Sequence, residues 1–587
     1  MGFTRVFDIV THQRDNYPKT DSITSKVNGE WIGYSTEKFL ETATQISFGL
    51  LQLGIQKDDK VAIISQNRPE WHFAELGIQQ IGAISVPLYP NITVEDYAFI
   101  LKDSEAKIVF VSNHEIFQKV HEAILQIPAI LGVYTFDHLP EAKHWTEVQN
   151  LGRNRNLTEI ESYKATITPN DLLTIIYTSG TTGVPKGVML SHDNLVSNVK
   201  ACQPLMPVGV QDRALSFLPL CHVYERMLNY LYMAVGTSIY FAESLDTISD
   251  NLKEVKPQIF VTVPRLLEKV YDRIVSKGAE LTGIKKALFF WALDLGLCYD
   301  NMKDQGFFYN IQLKWANKLI FSKWREALGG NVKAIVTGGA ALQIRLARVF
   351  TAAEIRIMQG YGLTETSPVI SVNRVNLDEN MFGTVGPLVE GVEVKLAEDG
   401  EILSRGPHIM KGYFKRPDLT AEAIDKEGWF HTGDIGEFVN GKYLKITDRK
   451  KEIFKTSGGK YVAPQIIENK IKESKLVEQA MVIGDGQKFP AAFIVPNFAS
   501  LKAYCDFKNI PYTSDAEIVK HAAVIEKFQR DLDAANENFA QYEKIKKFQL
   551  LPCMWTIESG ELTPKLSLKR KVILANNQDR ISQIYQD

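Results

Sequence analysis

Little in this 587-residue chain is extreme, and what it lacks narrows its class. Its five cysteines, Cys202, Cys221, Cys298, Cys505 and Cys553, are scattered, with no C-x-x-C pair. Such usage argues against a structural zinc site and a disulfide framework, and fits a reducing compartment. No uninterrupted apolar run approaches the roughly 18 residues that a membrane-spanning helix requires. The first 17 residues contain no apolar core of signal-peptide type, so a cytoplasmic protein is expected. A formal net charge of −2 gives no global reason to bind nucleic acid, and none is expected as a partner. Internal repeats and low-complexity tracts are also missing.

What is present is the composition of an ordinary globular protein, 45% hydrophobic and 23% charged. The chain is too long for one compact core and implies two or three domains. Its first part alternates β-rich runs, such as Val61-Ala-Ile-Ile64, with helical stretches such as residues 70–81. Similar runs start at Ile108, Leu215, Ile259 and Ala334. Alternation of this kind predicts parallel sheets covered on both faces by helices, with ligands beyond the carboxyl ends of the strands.

The character changes near residue 383. Val392–Leu396, a turn at Glu398-Asp-Gly400 and Glu401–Ser404 read as a β-hairpin, and Asn440-Gly441 marks another turn. A mixed pattern begins at Pro464, with helices at 465–472 and 515–536 and strands at 480–483 and 492–495. The expected fold class is therefore α/β. A large N-terminal domain, residues 1–447, carries parallel-rich sheets flanked by helices and a small antiparallel β module at about 383–447. A small α+β domain, residues 448–587, follows. Between Lys285 and Arg325 lie ten aromatic residues among several lysines. The favoured reading is a helical pair packed on the sheet. The alternative is contact with the inner face of a membrane.

The most informative segment is Tyr177-Thr-Ser-Gly-Thr-Thr-Gly-Val-Pro-Lys-Gly-Val188. It follows the strand-like run 172–176, and its glycines, hydroxyls and lysine suit phosphate oxygens. The G-x-x-x-x-G-K-[ST] spacing of a P-loop is absent. The string resembles the signature of the adenylate-forming (AMP-binding) superfamily, which activates carboxylic acids with ATP. Further segments are similar to that family's motifs in the right order: Gln359-Gly-Tyr-Gly-Leu-Thr-Glu-Thr366, Gly428-Trp-Phe-His-Thr-Gly-Asp434 and Asp448-Arg-Lys-Lys-Glu-Ile-Phe-Lys455. Residues 428–468 look like the signature of fatty acyl-CoA synthetases. Leu218-Pro-Leu-Cys-His-Val-Tyr-Glu225 and Thr262-Val-Pro-Arg-Leu-Leu267 point to the long-chain branch.

The resemblance implies a set of roles. Thr178, Ser179, Gly180, Thr181, Thr182, Gly183 and Lys186 would hold the ATP phosphates. Glu365 and Thr182 would bind Mg²⁺, which prefers hard oxygen ligands. The turn Gly338, Gly339 and Ala340, with Tyr361, would border adenine and the head of the acid, and Gln359, Gly360, Gly362 and Thr364 would also bind ATP. His222, Gly338 and Gly362 would line the acid pocket, while His431 reads as structural. Asp434 and Arg449 would take the ribose hydroxyls, since a carboxylate is acceptor-only. Coenzyme A would be the second substrate, and the small domain would be mobile, hinged at Asp448.

One departure stands out. The family's C-terminal catalytic lysine is expected where Ser567 stands, in Leu562-Thr-Pro-Lys-Leu-Ser-Leu-Lys569. Lys565 and Lys569 each lie two positions away, on the same side if the segment is extended. Lys565 is the first choice and Lys569 the alternative. The leading expectation is an ATP- and Mg²⁺-dependent long-chain fatty acid–CoA ligase. A ligase for a medium-chain or aryl acid, a fatty acyl-AMP ligase feeding a carrier protein and an inactive nucleotide-binding protein remain as alternatives.

Overall fold

A computed structural model describes residues 2–125, 127–179, 184–537, 539–563 and 567–586. The chain divides into two compact units. The first holds Met1–Lys395, Leu403–His431 and Phe438–Leu444; the second holds Leu396–Ile402, Thr432–Glu437 and Lys445–Asp587.

The first unit is built on two eight-stranded sheets. One runs in the order Gly412–Tyr413, Pro185–Ser191, Leu172–Ser179, Ile84–Leu88, Lys60–Ile64, Ala106–Val111, Gly132–Thr135 and Lys143–His144. Its centre is parallel, and only the Pro185–Ser191 and Gly412–Tyr413 strands are antiparallel to their neighbours. Val61, Ala62, Ile63 and Ile64 are all fully buried. A strand apolar on both sides needs cover on both faces, which fits the helices that alternate with these strands. The other sheet has the order Val369–Val372, Ile357–Gly362, Ala334–Thr337, Ile259–Thr262, Arg213–Ser216, Ser238–Phe241, Ile23–Val27 and Glu30–Tyr34, antiparallel only at its two edges. The α/β class expected from the alternation is the class observed.

Helix boundaries follow local chemistry. Ser35 caps Thr36–Gln52 by accepting from the Lys38 N–H at 3.1 Å. Pro69 opens Pro69–Gln79, where its missing N–H costs nothing. The helix Val223–Ala234 is buried nearly all round, and its Arg226 pairs with the equally buried Glu75.

In the second unit, Val477–Ile483, Ala491–Pro496 and Lys547–Leu550 form a three-stranded sheet. Ile467 and Ile471 from Pro464–Ile471 share its core with Val524, Phe528 and Leu532 from Ala522–Asn536. The single helix expected over 515–536 is two, Asp515–Ile518 and Ala522–Asn536. His521 takes an extended conformation between them and restarts the helix. A four-stranded sheet draws on Glu393–Leu396, Glu401–Arg405, Phe430–Val439 and Tyr443–Arg449. Asn440 and Gly441 both have positive φ, 51° and 65°, as a two-residue hairpin turn demands.

Candidate active site

The Leu172–Ser179 strand delivers the phosphate-loop motif, and Pro185–Ser191 returns antiparallel with Thr178 opposite Lys186. Gly180, Thr181, Thr182 and Gly183 lie outside the described residues. Tyr413 pairs with Val188 on the next strand, and the Lys186 ammonium sits 5.2 Å from its ring centroid. The Tyr413 hydroxyl donates to Glu365 Oε1 at 3.0 Å. Glu365 stands in the short turn Thr364–Thr366, just past the strand Ile357–Gly362, and its carbonyl accepts from the Met410 N–H at 2.9 Å. One aromatic side chain thus touches both the cation and the carboxylate. Burial, followed by the Glu365 charge, pushes the Tyr413 phenol well above its ordinary range, so it remains a donor at neutral pH.

A magnesium ion suits this arrangement. It keeps several waters and takes one or two protein oxygens beside substrate phosphates, rather than a cage of side chains. Glu365 would supply such an oxygen, and Tyr413 already orients its carboxylate. Thr182, the other expected ligand, is outside the described residues. Among the described residues no three His, Cys, Asp or Glu side chains cluster as a metal cage.

The glycines border a close-packed turn. A Cβ on Gly338 would lie 3.3 Å from both the Gly360 carbonyl oxygen and the Tyr224 ring. Gly339 has φ +79°, a conformation that side-chain-bearing residues avoid. A Cβ on Gly362 would lie 1.7 Å from the Pro368 carbonyl oxygen, so only glycine fits. Gln359 is buried, and Gly360 and Tyr361 pair with Val372 and Ser371. Ala340 is exposed at the end of this turn. Three buried hydroxyls here, on Tyr224, Thr337 and Thr364, have no hydrogen-bond partner among the described residues. An unmet buried hydroxyl costs about 1–3 kcal/mol, which a polar ligand would relieve.

His222 caps the helix Val223–Ala234, its Nδ1 accepting from the Tyr224 N–H at 3.2 Å. That cap holds Tyr224 at the base of the Gly338 turn. Tyr224 and Tyr413 were not singled out from sequence. Tyr224 lies inside the quoted Cys221-His-Val-Tyr224 phrase, while Tyr413 follows Gly412 with no motif to mark it.

The second unit carries its own set. Asp434 is buried, and its Oδ1 lies 3.4 Å from Nε of the half-exposed Arg449. Thr432 Oγ1 accepts from the Asp434 N–H at 3.1 Å, and Gly433 N–H donates to Glu401 at 3.0 Å, fixing the loop. Asp448 is fully buried at the end of Tyr443–Arg449. Its carboxylate accepts from the Arg449 N–H at 2.6 Å and the Gln465 N–H at 3.2 Å, the latter in the first turn of Pro464–Ile471. Burial raises its pKa to about 6 despite those two bonds.

Lys565 lies outside the described residues. On either side of it, Leu562 bridges antiparallel to Leu568, and Thr563 N–H donates to the Ser567 carbonyl. Ser567 and Lys569 are exposed. Lys569 precedes the helix Arg570–Asn576, whose Arg570 is tied to Glu468 at 2.6 Å and Glu452 at 3.2 Å.

The profile of the AMP-binding enzyme family matches residues 10–414, and that of the AMP-binding enzyme C-terminal domain matches residues 451–587. The chain belongs to the AMP-binding enzyme family. It is 32% identical to long-chain-fatty-acid–CoA ligase FadD15 of Mycobacterium bovis over 98% of this chain and 96% of that protein. It is also 32% identical to long-chain-fatty-acid–CoA ligase 5 of Mus musculus, over 95% and 84%. In fold it is similar to the adenylation domain of a carboxylate reductase from Mycobacterium chelonae, with TM-score 0.77, 21% identity and coverage of 100% and 92%.

Proposed function

We propose that the protein is a long-chain fatty acid–CoA ligase that uses Mg-ATP, forming an acyl-adenylate and then a thioester with coenzyme A. The observation that carries the site chemistry is the contact of Tyr413 with both Lys186 and Glu365. It gives a cation for phosphate oxygens and an oriented carboxylate for a metal. The substrate class rests on likeness to the two ligases above.

A fatty acid is already ionised at neutral pH, so its attack on the ATP α-phosphorus needs no general base. The obstacle is charge, because an anion approaches a polyanion. Catalysis then rests on positioning and on fixed positive charge. Lys186 would meet the phosphates, and Glu365 and Thr182 would hold Mg²⁺, which would neutralise the phosphate charge. A carboxylate oxygen bonds to the α-phosphorus as the bond to pyrophosphate breaks. In the second step the coenzyme A thiolate bonds to the acyl carbon, and AMP leaves with the bonding pair. Asp434 and Arg449 take the ribose hydroxyls, Tyr224 and Gly338 border the acid head, and Lys565 or Lys569 serves adenylation. We assign the change between the two steps to rotation of residues 448–587 about Asp448.

A chain-length series tests the substrate class. Thioester formation should rise steeply from C8 to C16, since each buried methylene contributes about 0.8 kcal/mol. A flat series, or a preference for an aryl acid, would reject the long-chain reading while leaving acid activation intact.

A further inference from the structure

The two residues assigned to the ribose hydroxyls, Asp434 and Arg449, stand on adjacent strands, Phe430–Val439 and Tyr443–Arg449. Each adjoins a member of a closed circuit of bonds. Gly433, just before Asp434, donates its N–H to Glu401 Oε1 at 3.0 Å. The Gly433 carbonyl accepts from the Lys450 N–H at 2.8 Å, and Lys450 directly follows Arg449. The Lys450 ammonium donates to Glu401 Oε2 at 2.8 Å, which closes the circuit. Asp399 Oδ2 lies 2.6 Å from the same ammonium.

Burial makes this circuit rigid. Glu401 opens the strand Glu401–Arg405 with its side chain only 6% exposed, whereas Lys450 and Asp399 are half-exposed. A buried carboxylate is costly unless charged and N–H partners meet it, so Glu401 holds both of its partners in place. Packing gives the turn no such support. Among the described residues a Cβ on Gly433 would meet nothing within 4 Å, and the glycine has φ +72°. Its position is therefore set by its two hydrogen bonds. Lys450, with two carboxylates on its ammonium, is not spare charge for a phosphate.

We propose that Glu401 and Lys450 are positioning residues for the nucleotide, touching no substrate themselves. Their ion pair fixes the Gly433–Asp434 turn against Arg449, and so holds the Asp434 carboxylate and the Arg449 guanidinium, 3.4 Å apart, where the ribose hydroxyls are received. Groups that bind a ligand need support of this kind to stay in a productive geometry. The inference rests on the reading of Asp434 and Arg449 as the ribose pair. It does not depend on which acid the enzyme activates.

The test is steady-state pyrophosphate release by the full-length protein with ATP and with 2′,3′-dideoxy-ATP, which lacks both ribose hydroxyls. The preference for ATP is the ratio of the two kcat/KM values. Asp434→Ala should lower that preference at least roughly 100-fold. Lys450→Met should lower it at least roughly fivefold, through a higher KM for ATP with kcat within about twofold of wild type. Glu401→Gln, which cannot form the ion pair, should act in the same direction. Lys450→Arg, which keeps the charge and reaches both carboxylates, should restore the preference. Lys450 is half-exposed, so its replacement should leave the fold intact. A Lys450→Met enzyme that keeps the wild-type preference while Asp434→Ala loses it would overturn the proposal, and a lower unfolding temperature alone would make the pair merely structural. If Asp434→Ala keeps the preference, the ribose reading itself fails and the proposal falls with it.

Discussion

The phenol of Tyr413 donates to the Glu365 carboxylate at 3.0 Å, from a strand that pairs with the one carrying Lys186. A metal-binding carboxylate oriented by a second group holds its ion more tightly than a free one. Tyr413→Phe keeps the ring under Lys186 and removes only the donor. The magnesium concentration giving half-maximal pyrophosphate release should rise roughly tenfold or more. Titration of magnesium at fixed ATP measures this, and an unchanged midpoint would show that Tyr413 does not orient the ligand.

Two glycines beside the same turn should respond differently. Gly362→Ala drives a Cβ into the Pro368 carbonyl at 1.7 Å and should cost about 3 kcal/mol or more. Gly339→Ala meets no neighbour and pays only for φ +79°, about 1–2 kcal/mol. Denaturant unfolding of the two variants orders these costs; equal losses would contradict the close-approach argument.

The C-terminal lysine is separable by half-reaction. Lys565→Ala should slow adenylation by at least about 100-fold. Thioester formation from a supplied acyl-adenylate should be unaffected. If Lys569→Ala shows that pattern instead, the assignment moves to Lys569.

Asp448 gives a pH dependence. Burial raises its carboxyl from 3.8 to about 6, so the folded chain holds this proton to higher pH than the unfolded chain does. Its stabilising contribution is whole below about pH 4 and is lost as pH rises through 6. Wild type should lose on the order of 3 kcal/mol across that window relative to Asp448→Asn. Unfolding of both proteins at pH 4 and 7 checks the sign, and a gap that widens in the other direction would contradict it.

The fold was legible because its strands are short apolar runs at regular spacing, as in Val61–Ile64, and because Asn440-Gly441 can only be a turn. The break at His521 was not, since the amphipathic spacing of residues 515–536 continues through it. Motif residues such as Glu365 and Lys186 could be named from order alone. Their supporting neighbours could not: Tyr413 reaches Glu365 across 48 positions, and Tyr224 meets Gly338 across 114, so only tertiary structure joins them. The exposure of Phe307 and Phe308 was likewise invisible beside the buried Phe289 and Phe321, because composition is the same on both faces.

The most direct test is pyrophosphate release from Mg-ATP with palmitate, before and after addition of coenzyme A, with products followed by mass spectrometry. The account predicts palmitoyl-adenylate on the enzyme without coenzyme A and turnover to palmitoyl-CoA and AMP with it. Absence of pyrophosphate release with any fatty acid would contradict it.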